Sequence, residues 1–146
     1  MMKSLSARMV IFFVLVLVMA LPQAMAIAED LAIIINPKNL HTNISRSSIA
    51  SMYRGEQLHW PSGGRIKLVN REISSLSRKE FYRTVLNAKP DQTFYRPGTP
   101  VAVQSLIQRS DEAVIRFVAA IEGAIGYVRL SRVTDSVTVV QIIPEG

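Results

Sequence analysis

The sequence contains no cysteine and only two histidines. Without cysteine there can be no disulfide framework, no thiolate metal site, no cysteine nucleophile and no lipid-modified N-terminal cysteine. Neither His41 nor His59 has a carboxylate or a second histidine at the spacing of a helical metal pair. We therefore assign no metal and no cofactor, and the fold must rely on an apolar core.

The residue groups of common catalytic sites are also missing. Neither histidine lies in a serine-and-acid context typical of a catalytic triad, and the carboxylates form no recognisable acid–base pair. We assign no catalytic residue and expect that the protein is not an enzyme.

Acidic residues are outnumbered, with 11 Asp and Glu against 17 Lys and Arg, which gives a formal charge of +6. The arginines are scattered and lack the interleaved aromatic residues of a base-stacking platform. This mild basic excess favours small anions or acidic surfaces over nucleic acid as partners.

Long apolar runs are absent apart from one at the start, residues 10–21. Lys3 and Arg8 precede this run and Ala24-Met25-Ala26 follows it, as in a cleavable signal peptide. The run is shorter than the roughly 20 residues of a membrane-spanning helix. We predict a signal peptide at 1–26, with cleavage after Ala26 or, almost equally well, after Ala28, and no membrane anchor afterwards.

Removal of this leader would leave 120 of the 146 residues and a formal charge of +4. That length suits one small domain. Its patterns alternate between strand and helix, which favours an α/β fold; residues 87–99 read as loop, and 100–107 are ambiguous. Gly126 indicates a strand against which another backbone packs closely. Strands are predicted at 31–35, 66–69, 124–130 and 137–143, and helices after the N-cap Ser45, from Ser77 and from Ser110, whose Asp111 and Glu112 suit the helix dipole.

The stretch from Val69 to Phe81 is the best candidate for a site, because an apolar strand breaks there into serines and arginines before a helix. In open α/β sheets ligands bind beyond the carboxyl ends of strands. Hydroxyls and free backbone N–H groups at a helix start suit an anion, and arginines would neutralise it. The candidate oxyanion-binding residues are Arg71, Ser75, Ser77 and Arg78.

The same stretch also satisfies structural rules. Ser77 and Glu80 form a capping box, and Leu76 with Phe81 forms a hydrophobic staple around it. Capping is the stronger interpretation of Ser77. Arg71 and Ser75 are needed by neither device, so they carry the functional hypothesis. His59 and Trp60 are interpreted as a packed or half-buried loop rather than as ligands.

Three blocks resemble the phosphate-binding (PstS-like) family of ABC-transporter solute-binding proteins. Ile49 to Gly55 followed by Trp60-Pro61 resembles its helix, Phe-x-Gly-Lys and Trp segment, with Tyr53 in the aromatic place and Glu56 where lysine is common. Arg71 to Phe81 resembles its Arg-x-x-Gly-Ser-Gly-Thr-Arg-x-x-Phe motif, with Ser74 and Leu76 replacing the glycines. Gly123 to Val128 matches its Pro-Gly-Ala-Ile-Gly-Tyr-Val strand, with Glu122 in place of the proline.

The resemblance implies a single small domain at 27–146, like one lobe of a type II periplasmic binding protein, with a central mixed sheet and flanking helices. It implies periplasmic placement, a phosphate-like anion as ligand and an ABC-transporter permease or another exported protein as partner. The family holds its anion between two lobes, so we expect weak binding here, or binding that needs a partner or a second copy. The alternative is an exported interaction or sensory module that keeps the scaffold and has lost the ligand.

Overall fold

The computed structural model describes residues 29–146, so the predicted signal peptide and both cleavage positions lie outside the described residues. Helices flank a five-stranded mixed sheet, which confirms the predicted α/β class and architecture. Between residues 29 and 146, no helix is both long and apolar enough to cross a membrane. The elements are β1 Leu31–Ile35, α1 Arg46–Tyr53, β2 Lys67–Arg71, α2 Leu76–Phe81, β3 Leu106–Gln108, α3 Asp111–Ala120, β4 Ala124–Arg129 and β5 Thr138–Ile143.

The order of strands across the sheet is β3-β2-β4-β1-β5. β2 runs parallel to both β3 and β4, whereas β1 is antiparallel to β4 and β5. The carboxyl ends of β2, β3 and β4 therefore meet at one edge of the sheet, where Arg71, Gln108 and Arg129 end their strands. This carboxyl edge is the predicted place for a ligand in an open α/β sheet.

β1 separates two layers of core. Its side chains alternate, with Ile33 and Ile35 packing in the cluster that contains α1 and α2, and Ala32 and Ile34 in the cluster that contains α3. All five residues of β1 are buried. Because β1 is covered on both faces, neither face is exposed to solvent, and this explains its unbroken apolar sequence.

Two of the three predicted helix starts are confirmed. The Ser45 hydroxyl accepts a hydrogen bond from the Ser48 amide at 3.1 Å, and the Ser110 hydroxyl accepts one from the Ala113 amide at 3.1 Å. Each bond satisfies one of the amides that a helix leaves without an acceptor in its first turn.

The predicted start of α2 is wrong by two residues. Ser75, not Ser77, is the N-cap, and its hydroxyl accepts from the Arg78 amide at 3.3 Å. The Ser75 amide donates to the Glu72 carbonyl at 3.0 Å, so the chain turns immediately after β2 and the helix begins early. Leu76 is 69% exposed and cannot staple to Phe81, and the Glu80 carboxylate pairs with Arg83 at 2.7 Å instead of completing a capping box.

His59 and Trp60 lie in the loop before β2, and the prediction that they are packed or half-buried is confirmed for Trp60 alone. Trp60 is buried and its indole N–H donates to the Gly123 carbonyl at 2.9 Å. His59 is exposed, so the prediction that it is packed is wrong. The neighbouring bridge between His59 and Arg65 holds the residue at the surface while Trp60 turns inward.

Gly126 lies in β4 where α3 crosses closest. A Cβ atom there would come within 2.9 Å of Val114 Cγ1, and 3.4 Å of both Val118 Cγ2 and Val69 Cβ. The packing at Gly126 is tight, but the predicted approach of another backbone is wrong, because the neighbours are side chains of α3 and β2.

We expect Gly126→Ala to lower the free energy of unfolding by about 1–3 kcal/mol, because overpacking a filled core outweighs the entropic gain of replacing glycine. Gly64→Ala is the matched control, since a Cβ there meets nothing within 4 Å and Gly64 has no positive φ. Urea unfolding of both variants measures the difference. Equal stability would contradict the tight packing of α3 on β4.

Candidate functional site

Arg71 is the last residue of β2, at the carboxyl edge of the sheet. Its guanidinium Nη1 lies 2.8 Å from Asp111 Oδ1, and its Nη2 lies 3.0 Å from Glu72 Oε1. The side chain is only 13% exposed. Arg71 is therefore held in one position by two carboxylates on the α3 side of the sheet.

Asp111 is the residue that joins three elements at this edge. It is the first residue of α3, and its carboxylate is fully buried between Arg71 of β2 and Arg129 of β4. Arg129 Nε donates to Asp111 Oδ2 at 2.7 Å, and this hydrogen bond and the carboxylate charge raise the pKa of Arg129. A buried carboxylate is tolerated when both oxygens are paired in this way.

This role of Asp111 is not visible in the sequence. An acid in the first turn of a helix already has a local explanation in the helix dipole. The partners of Asp111 lie 40 and 18 residues away along the chain, so no local spacing reveals them. One signal could have suggested the contact of Asp111 with the two arginines. The end of β2, the start of α3 and the end of β4 each carry a charged residue, and these ends meet at one edge of the sheet.

Glu72 shares the Arg71 guanidinium. Burial of its carboxyl would by itself raise the pKa, but the hydrogen bond from Arg71 and the charges of Arg71 and Arg109 outweigh that effect. The pKa of Glu72 therefore lies below its ordinary value of 4.5. Within the described chain, Arg71 Nε and Glu72 Oε2 are the two buried side-chain atoms left without a hydrogen-bond partner.

A buried polar network supports the end of β2 on the opposite face. The side-chain amide nitrogen of Asn70 donates to the Tyr82 hydroxyl at 2.8 Å, and its side-chain oxygen accepts a hydrogen bond from the Tyr127 hydroxyl. The Arg71 amide donates to the Tyr127 hydroxyl at 3.2 Å. Burial raises the pKa of Tyr127 above its ordinary value of 10.0, so its phenol stays protonated and able to donate.

The structure exchanges the expected roles of the two serines. Ser75 is the cap, whereas the Ser77 hydroxyl makes no hydrogen bond to the described part of the chain and is not sealed from solvent. The amides of Leu76 and Ser77 occupy the first two positions of α2, which have no intrahelical acceptor. Leu76 has no positive φ, so leucine meets no backbone strain at this position.

Arg78 lies on the α2 side of the sheet, away from the Asp111 cluster. Its Nε donates to the Pro90 carbonyl and its Nη1 to the Arg71 carbonyl, both at 2.8 Å. Its guanidinium carbon lies 4.7 Å from the centre of the Tyr82 ring. The four predicted residues are thus brought together around one strand-to-helix junction, but the two arginines face opposite sides of the sheet.

No group of three or more His, Asp or Glu side chains among residues 29–146 is placed to hold a metal ion. The junction offers the guanidinium groups of Arg71 and Arg78, the free Ser77 hydroxyl and two free amides, which are hydrogen-bond donors rather than metal ligands.

Comparisons with known proteins agree with this geometry at the level of fold. No model of a protein family matches the sequence, and no curated protein sequence is significantly similar to it. Solved structures do match. An ABC-type phosphate transport receptor from Vibrio cholerae is 27% identical with a TM-score of 0.66, over 77% of this chain and 46% of the receptor.

Two further solved structures give the same result. An X-ray structure from Clostridium perfringens, described as a putative phosphate ABC transporter substrate-binding protein with bound phosphate, is 26% identical with a TM-score of 0.64, over 77% of this chain and 44% of that protein. PstS from Borrelia burgdorferi is 23% identical with a TM-score of 0.63, over 77% of this chain and 47% of PstS.

The fold matches one lobe of these phosphate-binding proteins. More particularly, the chain has a PstS-like fold, which confirms the resemblance that the motifs indicated. It spans less than half the length of the phosphate-binding proteins that it matches.

We expect Asp111→Asn to destabilise the protein by about 3–5 kcal/mol, because removing one partner of a buried ion pair leaves charge uncompensated. The lower end is favoured, since Arg129 is 41% exposed and can be solvated. Glu112→Gln in the same helical turn is the control, with an expected change within about 0.5 kcal/mol for a 62% exposed side chain. Equal effects in urea unfolding would show that the Asp111 cluster is not a structural pairing.

The lowered pKa of Glu72 makes stability depend on pH. A carboxyl whose pKa is lowered on folding stabilises the protein above its ordinary pKa of 4.5, and that contribution is lost as the pH falls through the lowered value. We expect urea midpoints measured from about pH 6 to about pH 3 to fall less steeply for Glu72→Gln than for the natural chain. Parallel curves would contradict the Arg71–Glu72 pairing.

Proposed function

We propose that the protein is an exported solute-binding module that holds phosphate or a related oxyanion at the junction of β2 and α2. One observation carries the proposal above the others: the fold is PstS-like, and a free hydroxyl and two free amides lie where a basic strand end meets a helix start. The chain provides the donors of an anion site at the place where such folds bind ligands.

The charges around the junction support an anion. Arg78 and Arg109 form no ion pair among residues 29–146, whereas Arg71 and Arg129 pair with the carboxylates of Glu72 and Asp111. The carboxylates hold Arg71 rigidly, and a preorganised guanidinium loses less entropy on binding a ligand. Ser77 and the amides of Leu76 and Ser77 would then contact the oxyanion directly, with Ser75 fixing the turn that presents them.

A second candidate function is an exported interaction or sensory module that has lost the ligand. The observation that favours it is the state of Arg71, whose guanidinium already pairs with Asp111 and Glu72. Leu76 also stands where the resembling motif has glycine and is 69% exposed over the site. Both features lower the affinity expected of a phosphate site.

Export, periplasmic placement and an ABC-transporter permease as partner belong to the same proposal. They are supported by the leader pattern at 1–26 and by the ABC-type phosphate transport proteins that share the fold. Fractionation of producing cells, with the intact mass of the exported species, tests placement and cleavage together. A species retained in the cytoplasm at full length would contradict export.

Calorimetric titration with phosphate, sulfate and a neutral sugar tests the ligand. We expect saturable heat with phosphate or sulfate and none with the sugar. Ser77→Ala should weaken binding by about tenfold, because a hydrogen bond to a charged group contributes about 1.5–3 kcal/mol. Ser47→Ala is the control, since Ser47 holds the same second position in α1 and is exposed.

Absence of heat with every anion, from a folded protein, would remove the oxyanion proposal. A protein partner recovered in stoichiometric amount from the exported fraction, and retained by Ser77→Ala and by Arg71→Lys, would then favour the interaction module.

A further inference from the structure

A polar cleft of about 130 Å³ lies on the α2 side of the sheet, between β2, β3 and the loop that follows Pro90. It is separate from the Asp111 cluster, which lies on the α3 side. No carboxylate lines it. Its polar lining includes Asn70, Arg78, Tyr82, Gln92, Thr93 and Ser105.

Arg78 is the unusual member of this lining, because it is only 8% exposed and none of the ion pairs among residues 29–146 involves it. Its Nε and Nη1 are satisfied by the Pro90 and Arg71 carbonyls. These carbonyls and the Tyr82 ring are dipolar or quadrupolar partners and do not cancel a net charge. Buried charges in proteins are ordinarily paired with a counter-charge.

Arg71 shows by contrast what a paired arginine looks like in this chain. It is buried to a similar degree and has two carboxylates within 3.0 Å. The remaining guanidinium nitrogen of Arg78, Nη2, has no hydrogen-bond partner in the described chain and is not sealed from solvent. Arg78 is therefore a largely buried cation with one free donor and no resident anion.

Three further side chains of the cleft are uncommitted. The side-chain amide of Gln92 and the hydroxyls of Thr93 and Ser105 make no hydrogen bond to the described residues, although all three can donate. Gln92 and Thr93 are exposed on the loop, so they can turn toward a ligand without disturbing the core. The cleft thus combines an unpaired buried cation with neutral donors.

We infer that this cleft is a second anion site, distinct from the one at the Ser77 end of α2, and that it takes a small oxygen-bearing anion. The counter-charge for Arg78 is supplied by the ligand. The volume limits the class, because pockets for ordinary metabolites measure about 300–1,000 Å³. Inorganic phosphate or a small carboxylate such as acetate fits this chemistry, whereas a nucleotide or a sugar phosphate does not.

Nitrogen–proton correlation spectra of the whole protein, titrated separately with phosphate, acetate and a neutral sugar, test the inference. We expect the amides of Gln92, Thr93 and Ser105 to shift saturably with at least one of the anions and not with the sugar. The double variant Gln92→Ala with Thr93→Val should weaken these shifts by about tenfold, which corresponds to the loss of hydrogen bonds to a charged ligand. Both positions are exposed, so folding is preserved.

Gln104→Ala is the control, because Gln104 is exposed nearby and does not line the cleft. Shifts confined to Ser75, Leu76 and Ser77, with none at Gln92, Thr93 or Ser105, would overturn the second site and leave the proposed function standing. Shifts confined to the cleft would support the second site and count against the oxyanion at the β2–α2 junction. Cleft shifts that the double variant leaves unchanged would also overturn the inference.

Discussion

The carboxyl edge of the sheet depends on one buried ionic contact, the Asp111 carboxylate between Arg71 and Arg129. A lone buried carboxylate is strongly unfavourable, so the end of β2, the start of α3 and the end of β4 must meet for the charge to be balanced. That requirement fixes the direction of the Arg71 side chain. It also fixes the turn at residues 72–75, because Glu72 pairs with the same guanidinium and its carbonyl accepts from Ser75.

The two arginines of the junction have different electrostatic states. Arg71 is neutralised by carboxylates of the chain itself, and it contributes position and shape to the edge. Arg78 carries a charge that carbonyls and an aromatic ring solvate but do not cancel. Within the described residues, the Ser77 hydroxyl and one guanidinium nitrogen of Arg78 are the side-chain donors left free on the α2 side of this junction. A count of arginines would not have shown this difference.

The sequence predicted what depends on near neighbours. The unbroken apolar run of β1 and the caps Ser45 and Ser110 follow from local spacing or from the burial of one strand. The prediction of where α2 starts is wrong because Ser75 and Ser77 both satisfy a capping rule. The choice between them is made by the turn after β2, which a linear pattern does not contain.

The four predicted site residues meet at one junction, but their structural roles differ from the expected ones. No local rule requires Arg71 or Ser75, yet Arg71 is held by an ion pair across 40 residues and Ser75 is the cap. Ser77 satisfies a local capping rule, yet its hydroxyl makes no hydrogen bond to the described residues. Long-range pairing of charges decides these roles, and it becomes visible only when the strand ends are brought to one edge.

A crystal structure of the protein grown with arsenate tests the central claim most directly, because arsenic can be located by its anomalous scattering and arsenate has the shape and charge of phosphate. An oxyanion site at the junction predicts a peak within hydrogen-bonding distance of Ser77 Oγ and the amides of Leu76 and Ser77, lost in Ser77→Ala. A structure with no arsenic at the junction, or with arsenic only on exposed lysines, would contradict it.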